Sequence, residues 1–165
     1  MVNKALFSSE KTDWVTPQYL FDALNAEFHF TLDAAASMEN RKVDKFFSVH
    51  QDSFRLQWKG VVWLNPPYSR EIGRWLEKAK NSAESNMATV VVLCPARCDT
   101  NWWFNHVRFG EVRFLKGRLR FEGGETSAPF PSALAIFRPG LPRSTTYWHY
   151  RQIEDRPGYE AKLLE

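Results

Sequence analysis

Four consecutive residues, Asn65-Pro66-Pro67-Tyr68, combine two hydrogen-bond acceptors with an aromatic plane. Asn65 offers a side-chain carbonyl. The two prolines fix the backbone and carry no N–H, which leaves the Pro66 carbonyl available as a second acceptor. Tyr68 offers a flat ring. These features suit the holding of a planar amine. Such a nitrogen is a poor nucleophile because its lone pair is delocalised. Acceptors on both of its N–H bonds favour the geometry in which it attacks, and a stacked ring fixes its plane. Catalysis is then positioning plus stabilisation of developing charge, without a strong base. A rigid turn would use the same residues, since Asn-Pro and Pro-Pro are both loop signals. The flanking elements decide in favour of a site.

Gly60–Leu64 is a compact apolar strand that runs directly into the loop. Ser69 is placed to cap a following helix, whose apolar face is Ile72, Trp75, Leu76, Ala79 and Ala83. In a parallel sheet this position is the carboxyl end of a strand, where ligands bind. Thr89–Cys94 is continuously apolar and predicts a central strand covered on both faces. Upstream, Thr16 reads as an N-cap and Pro17 as the first residue of a helix carrying Leu20, Phe21, Leu24 and Phe28. Phe28, Phe30 and Leu32 then alternate with polar residues, which predicts a strand ending at Asp33-Ala34-Ala35-Ala36-Ser37. Lys45–Val49 predicts another strand, ending near Asp52. Downstream, Asp99-Thr100 opens a short helix with Trp102 and Trp103. Strands are expected at Glu111–Leu115, Leu119–Phe121 and Ser132–Phe137. The alternation implies an α/β fold, mainly parallel with an antiparallel C-terminal edge. One domain over residues 1–165 is expected, with a leader at 1–12 and a polar, aromatic tail at 141–165.

A chain of 165 residues buries a core without disulfides or metal. Cys94 and Cys98 have neither zinc nor thioredoxin spacing, and Cys94 reads as a buried thiol. His29, His50, His106 and His149 show no ligand spacing, so no metal site is expected. The net charge of +3 permits a polyanionic partner without demanding one. No apolar run approaches the ~20 residues of a membrane span. With no signal peptide visible, the cytoplasm is the expected compartment.

The loop resembles the fourth motif of amino-methyltransferases, Asp/Asn/Ser-Pro-Pro-Tyr/Phe. From about residue 13 to 138 the chain resembles the phage-type DNA N6-adenine methyltransferases (Dam-like). The matching stretches occur in order. They are Asp13-Trp14-Val15-Thr16-Pro17, Leu32-Asp33-Ala34-Ala35-Ala36-Ser37, Trp63-Leu64-Asn65-Pro66-Pro67-Tyr68-Ser69, Leu93-Cys94-Pro95-Ala96-Arg97-Cys98-Asp99-Thr100 and Phe114-Leu115-Lys116-Gly117-Arg118-Leu119-Arg120-Phe121. The resemblance implies transfer of a methyl group from S-adenosylmethionine to a flipped adenine in double-stranded DNA, in a bacterial or phage-infected cell, with GATC as a first guess for the site.

On this reading Asn65, Pro66, Pro67 and Tyr68 are the catalytic loop. Asp33 would meet the ammonium of the cofactor's methionine part. Ala34 and Ala35 form the approach turn, where related turns are usually glycine-rich. Thr16, Pro17, Asp52 and Asn65 complete the cofactor side, with Glu39 and Asp44 as ribose candidates. Only a short stretch separates Asp33 from Asn65, so the Rossmann-like S-adenosylmethionine-dependent methyltransferase sheet is expected in reduced form. Arg97, Lys116, Arg118 and Arg120 are placed to meet phosphates, and Trp102 to stack on a base. No separate recognition domain is visible. Residues Gly117–Pro131, the tail or a second subunit would read the sequence. Two other readings stay open: a methyltransferase acting on an RNA base or a protein glutamine, and a non-catalytic DNA-binding relic of the fold.

Overall fold

β-branched and apolar residues crowd one segment of the chain, and they form the longest strand among the described residues, β3 (Ala88–Pro95). The structure, a computed structural model, describes residues 13–85, 88–140 and 143–148. Within β3 the period of two sorts the side chains. Val90, Val92 and Cys94 join one apolar cluster with Ile72, Leu76 and Ala79 of helix α2 (Ile72–Glu84). Val91 and Leu93 join another with Leu20, Phe21 and Leu24 of helix α1 (Gln18–Phe28). The strand is thus covered on both faces, which explains a run with no polar alternation.

β1 (Leu32–Asp33) and β2 (Gly60–Leu64) lie to one side of β3, all three mutually parallel. Gly60 opens β2 at φ +75°, and a Cβ there would stand 2.6 Å from Thr31 Oγ1. β4 (Glu111–Leu115), β5 (Ser132–Phe137) and β6 (Ser144–Trp148) lie to the other side, in the sheet order β1-β2-β3-β5-β4-β6. β5 runs antiparallel to both β3 and β4, and β6 is parallel to β4. Five strands therefore point one way and β5 the other. The chain leaves β1, β2, β3 and β4 at one common edge of the sheet. Helix α3 (Asn101–Asn105) follows β3, capped by Thr100 Oγ1, which accepts from Trp103 N–H at 3.3 Å.

Several expectations are corrected. The antiparallel strand is interior, and the outer strand β6 lies in the tail where none was placed. Its partner order follows from β5 being inserted between β3 and β4. Thr16 is not the N-cap of α1: Pro17 takes that position with ψ 136°, and the Thr16 hydroxyl points elsewhere. The strand expected from Phe28 is only two residues long. α1 runs to Phe28, and His29 turns left-handed, donating its N–H to Asn25 O at 2.9 Å. The Asn25 side chain accepts from Phe30 N–H at 2.9 Å, so the apparent alternation spans a helix end, a turn and a strand start.

Lys45–Val49 contributes a single parallel bridge, Phe46 to Asp33, followed by a 3-10 turn at Val49–Gln51. Leu119–Phe121 is not a strand. Leu119 and Phe121 are buried side chains on a loop, tied by Ala128 N–H to Leu119 O at 2.7 Å. The leader at 1–12 and most of the tail lie outside the described residues.

Candidate active site

The common edge of the sheet holds a pocket of about 870 Å³, within the range of small-molecule sites. Its wall includes Asn65, Pro66 and Pro67 from the end of β2, Asp33 to Ala36 from the end of β1, and Trp14 and Thr16 from the segment before α1. Asn65 is the best-defined group. Its Nδ2 donates to the Trp14 carbonyl and to Thr16 Oγ1, the latter at 3.0 Å. Its Oδ1 is buried and has no partner. A buried acceptor without a donor is costly and calls for an explanation. At the wall of a pocket, such an atom is placed to accept an N–H from a ligand.

Asp33 closes β1 and is 2% exposed. Its Oδ2 accepts from Lys42 N–H at 3.0 Å and its Oδ1 from Ala35 N–H at 3.4 Å. Burial outweighs these bonds and pushes the carboxyl up to about 6. A carboxylate held so dry is suited to meeting a cation. The Ala34–Ala36 turn beside it is braced from behind. Ser53 Oγ donates to Ala34 O at 2.7 Å, and Trp58 Nε1 donates to Ser53 O at 3.1 Å. Trp58 is fully buried. Sequence reasoning missed this brace, as it missed the Trp14 carbonyl. The available signal was Trp58 itself, because a buried indole N–H needs an acceptor.

Among the other cofactor candidates, Asp52 lines the pocket rim, exposed and paired with Arg55 at 3.1 Å. Glu39 also lines it, whereas Asp44 and Pro17 do not. Ala34 and Ala35 both do.

Tyr68 stands just outside the pocket lining, in an aromatic cluster contiguous with it. Its ring meets Phe130 at 5.6 Å and Phe121 at 6.2 Å, both edge-on. Trp14 links pocket and cluster, 5.2 Å from Phe121 and 5.1 Å from Phe130. The Tyr68 hydroxyl lies 3.4 Å from Leu93 O, and burial, with the Cys94 thiol nearby, pushes its pKa well above the ordinary range. Burial likewise pushes the Cys94 thiol up to about 12, in keeping with an inert core residue.

The loop from 116 to 131 delivers Phe121 and Phe130 to that cluster, held by Glu122 N–H to Val15 O at 2.9 Å and Ala96 N–H to Pro131 O at 2.8 Å. On its outer side Lys116, Arg118 and Arg120 are exposed. Arg97, at the end of β3, is exposed and lies 6.0 Å over the Phe130 ring. Trp102 is half-buried, tilted against Trp103 at 5.9 Å, and its Cβ is 3.2 Å from where a Cβ on Gly73 of α2 would stand. Trp103 is core. No group of three or more potential metal ligands occurs among the described residues. No described helix is long and apolar enough to cross a membrane.

The model of the family DNA N-6-adenine-methyltransferase (Dam) matches residues 4–141. A DNA N-6-adenine-methyltransferase of Haemophilus phage HP1 is 31% identical over 157 residues, covering 89% of this chain and 90% of that protein. Another, of Escherichia phage T1, is 32% identical over 133 residues, covering 68% of this chain and 55% of that protein. These matches set DNA adenine ahead of an RNA base or a protein glutamine. The chain belongs to the Dam family of DNA N-6-adenine-methyltransferases, which place a methyl group on the exocyclic amine of adenine in DNA.

Proposed function

We propose that the pocket binds S-adenosylmethionine beside an adenine flipped out of double-stranded DNA, and that Asn65 and Pro66 hold the adenine amine for methylation. The observation that carries this reading is the buried, unpartnered Oδ1 of Asn65 in the pocket wall. The residues present fit the cofactor. Asp33 offers a dry carboxylate for its ammonium, Ala34 and Ala35 offer a turn without bulk, and Asp52 and Glu39 stand at the rim for its hydroxyl groups. The parallel strands with an inserted antiparallel β5 support a reduced Rossmann-like methyltransferase sheet in one domain.

When bound, S-adenosylmethionine would supply an electrophilic methyl group on a sulfonium, with the neutral thioether S-adenosylhomocysteine as the leaving group that keeps the S–C bonding pair. The protein's work is on the amine. Asn65 Oδ1 accepts one N–H and the Pro66 carbonyl the other, which draws the lone pair out of conjugation. As the nitrogen gains the methyl group it becomes positive, and the same two acceptors strengthen their hold. The surplus proton then leaves to solvent. Tyr68 fixes the base plane, with Phe130 beside it. Extrusion of the base costs a few kcal/mol, offset by stacking and by phosphate contacts from Arg97, Lys116, Arg118 and Arg120.

The test is transfer of a labelled methyl group to duplex oligonucleotides, followed by nucleoside analysis. N6-methyladenine should form in duplexes containing adenine, with GATC the first site to try on resemblance alone. A protein that binds the cofactor yet methylates no DNA would be the relic of the fold, and would end this reading.

A further inference from the structure

We propose that Thr16 is a positioning residue, whose hydroxyl aims the Asn65 carbonyl at the substrate amine. The inference rests on reading Asn65 Oδ1 as the amine's acceptor. The geometry begins with the amide itself, which has two hydrogens on one side and one oxygen on the other. The Trp14 carbonyl can only accept, so the Asn65 nitrogen must face it; the flipped amide would set two carbonyl oxygens against each other. That contact settles which way the amide points but leaves it free to rock about a single bond. The second amide hydrogen goes to Thr16 Oγ1 at 3.0 Å, and Thr16 is 2% exposed. Two fixed acceptors hold the plane of the amide, and its oxygen is left as the one uncommitted polar atom.

The anchor is itself held. Val15 O accepts from Glu122 N–H at 2.9 Å, and the Trp14 ring packs on Phe121 and Phe130. The segment before α1 therefore ties the catalytic amide to the loop that carries the basic residues. Thr16 was expected to contact the cofactor, and it does line the pocket. Its hydroxyl also meets the Asn65 amide, and a misaimed acceptor impairs the chemical step rather than cofactor binding.

The experiment compares Thr16→Val, which keeps the shape and removes the hydroxyl, with Thr16→Ser, which restores it. Single-turnover methyl transfer at saturating substrates and S-adenosylmethionine affinity by calorimetry are both measured. Thr16→Val should slow the saturated rate about tenfold with cofactor affinity within about twofold of wild type, and Thr16→Ser should recover most of the lost rate. A saturated Thr16→Val rate equal to wild type overturns the inference. So does a weakened cofactor affinity with an unchanged saturated rate, which would make Thr16 a direct cofactor contact. If Thr16→Val does not fold, the wild-type Asn65 side-chain amide decides by NMR. Both of its protons should be protected from solvent exchange, and rapid exchange of either overturns the inference. Asn65→Ala distinguishes the two layers. Wild-type turnover in Asn65→Ala ends the acceptor reading, whereas an inactive Asn65→Ala with an unaffected Thr16→Val ends only the role of Thr16.

Discussion

On the proposed ammonium contact, Asp33 should make cofactor affinity depend on pH in a direction and by an amount that follow from its burial. The rise of its pKa from 3.8 to about 6 corresponds to roughly 3 kcal/mol against the ionised form. The sign is the reverse of the usual surface carboxylate. The folded protein binds the extra proton between pH 3.8 and about 6. Stability from this group is therefore full at the acid end and is lost as pH rises through that window. A bound ammonium reverses the balance, because it favours the carboxylate. Binding below pH 6 must then expel a proton. At pH 7 about nine-tenths of Asp33 is already ionised and at pH 5 only about one-tenth, so affinity should fall about tenfold between them. Calorimetry with S-adenosylmethionine in two buffers of different ionisation enthalpy reads both the affinity and the proton released. Asp13, Glu39, Lys42, His50, Asp52 and Glu71 also line the pocket. They remain in an Asp33→Asn variant, so the difference between the two pH profiles belongs to Asp33. An identical slope in wild type and Asp33→Asn between pH 5 and 7 would refute the ammonium contact.

Removing the unpartnered acceptor by Asn65→Ala should lower kcat by about 10²–10³ while calorimetry still detects cofactor binding, since the lost bond strengthens only as charge develops. Tyr68→Phe should keep most activity, because the hydroxyl makes only a 3.4 Å contact with Leu93 O. Tyr68→Ala should weaken productive DNA binding by about 1–3 kcal/mol through lost stacking, read from the substrate concentration dependence of single turnovers. Alanine at Arg97, Lys116 or Arg118 should each reduce the salt slope of DNA affinity by about one without altering the methylated sequence, as measured by titration at several salt concentrations. Trp58→Phe should cost about 1–3 kcal/mol in chemical denaturation, because it leaves the Ser53 oxygens without their buried donor.

The parts of the fold that were legible in the sequence are those where one periodicity runs unbroken. β2, α2 and β3 each keep one pattern from end to end, and the Asn65–Tyr68 loop sits between two of them. The strand before Asp33 was overread because a helix end, a left-handed His29 and a short strand happen to place Phe28, Phe30 and Leu32 in alternation. Leu119 and Phe121 imitated a strand because they are buried from a loop, in one apolar cluster with α1 and Tyr68, rather than by a ladder. The orientation of Asn65 was out of reach for a different reason. It depends on a backbone carbonyl fifty-one residues away in the chain, at Trp14, and a backbone atom has no residue type by which to find it.

The compressed stretch between Asp33 and Asn65 shows how so little chain can hold a carboxylate in place. β1 has two residues, and its outer neighbour is one bridge at Phe46. The Asp33 turn is therefore held by a few separate backbone bonds, Ala34 N–H to Trp63 O and Ala36 N–H to Phe47 O, both at 3.0 Å, with side chains supplying the rest. The other supports come from the next twenty-five residues. Lys42 N–H fixes one carboxylate oxygen, Ser53 Oγ fixes the Ala34 carbonyl, and Trp58 fixes Ser53. The Lys42 side chain then reaches Gln18 of α1 and Glu122 of the 116–131 loop, both at 2.9 Å. Lys42, which supports the Asp33 carboxylate, thus also touches the loop that carries the basic residues. A shorter sheet has not simplified the site. It has moved the burden of positioning from strands, which a pattern reveals, to individual contacts, which it does not.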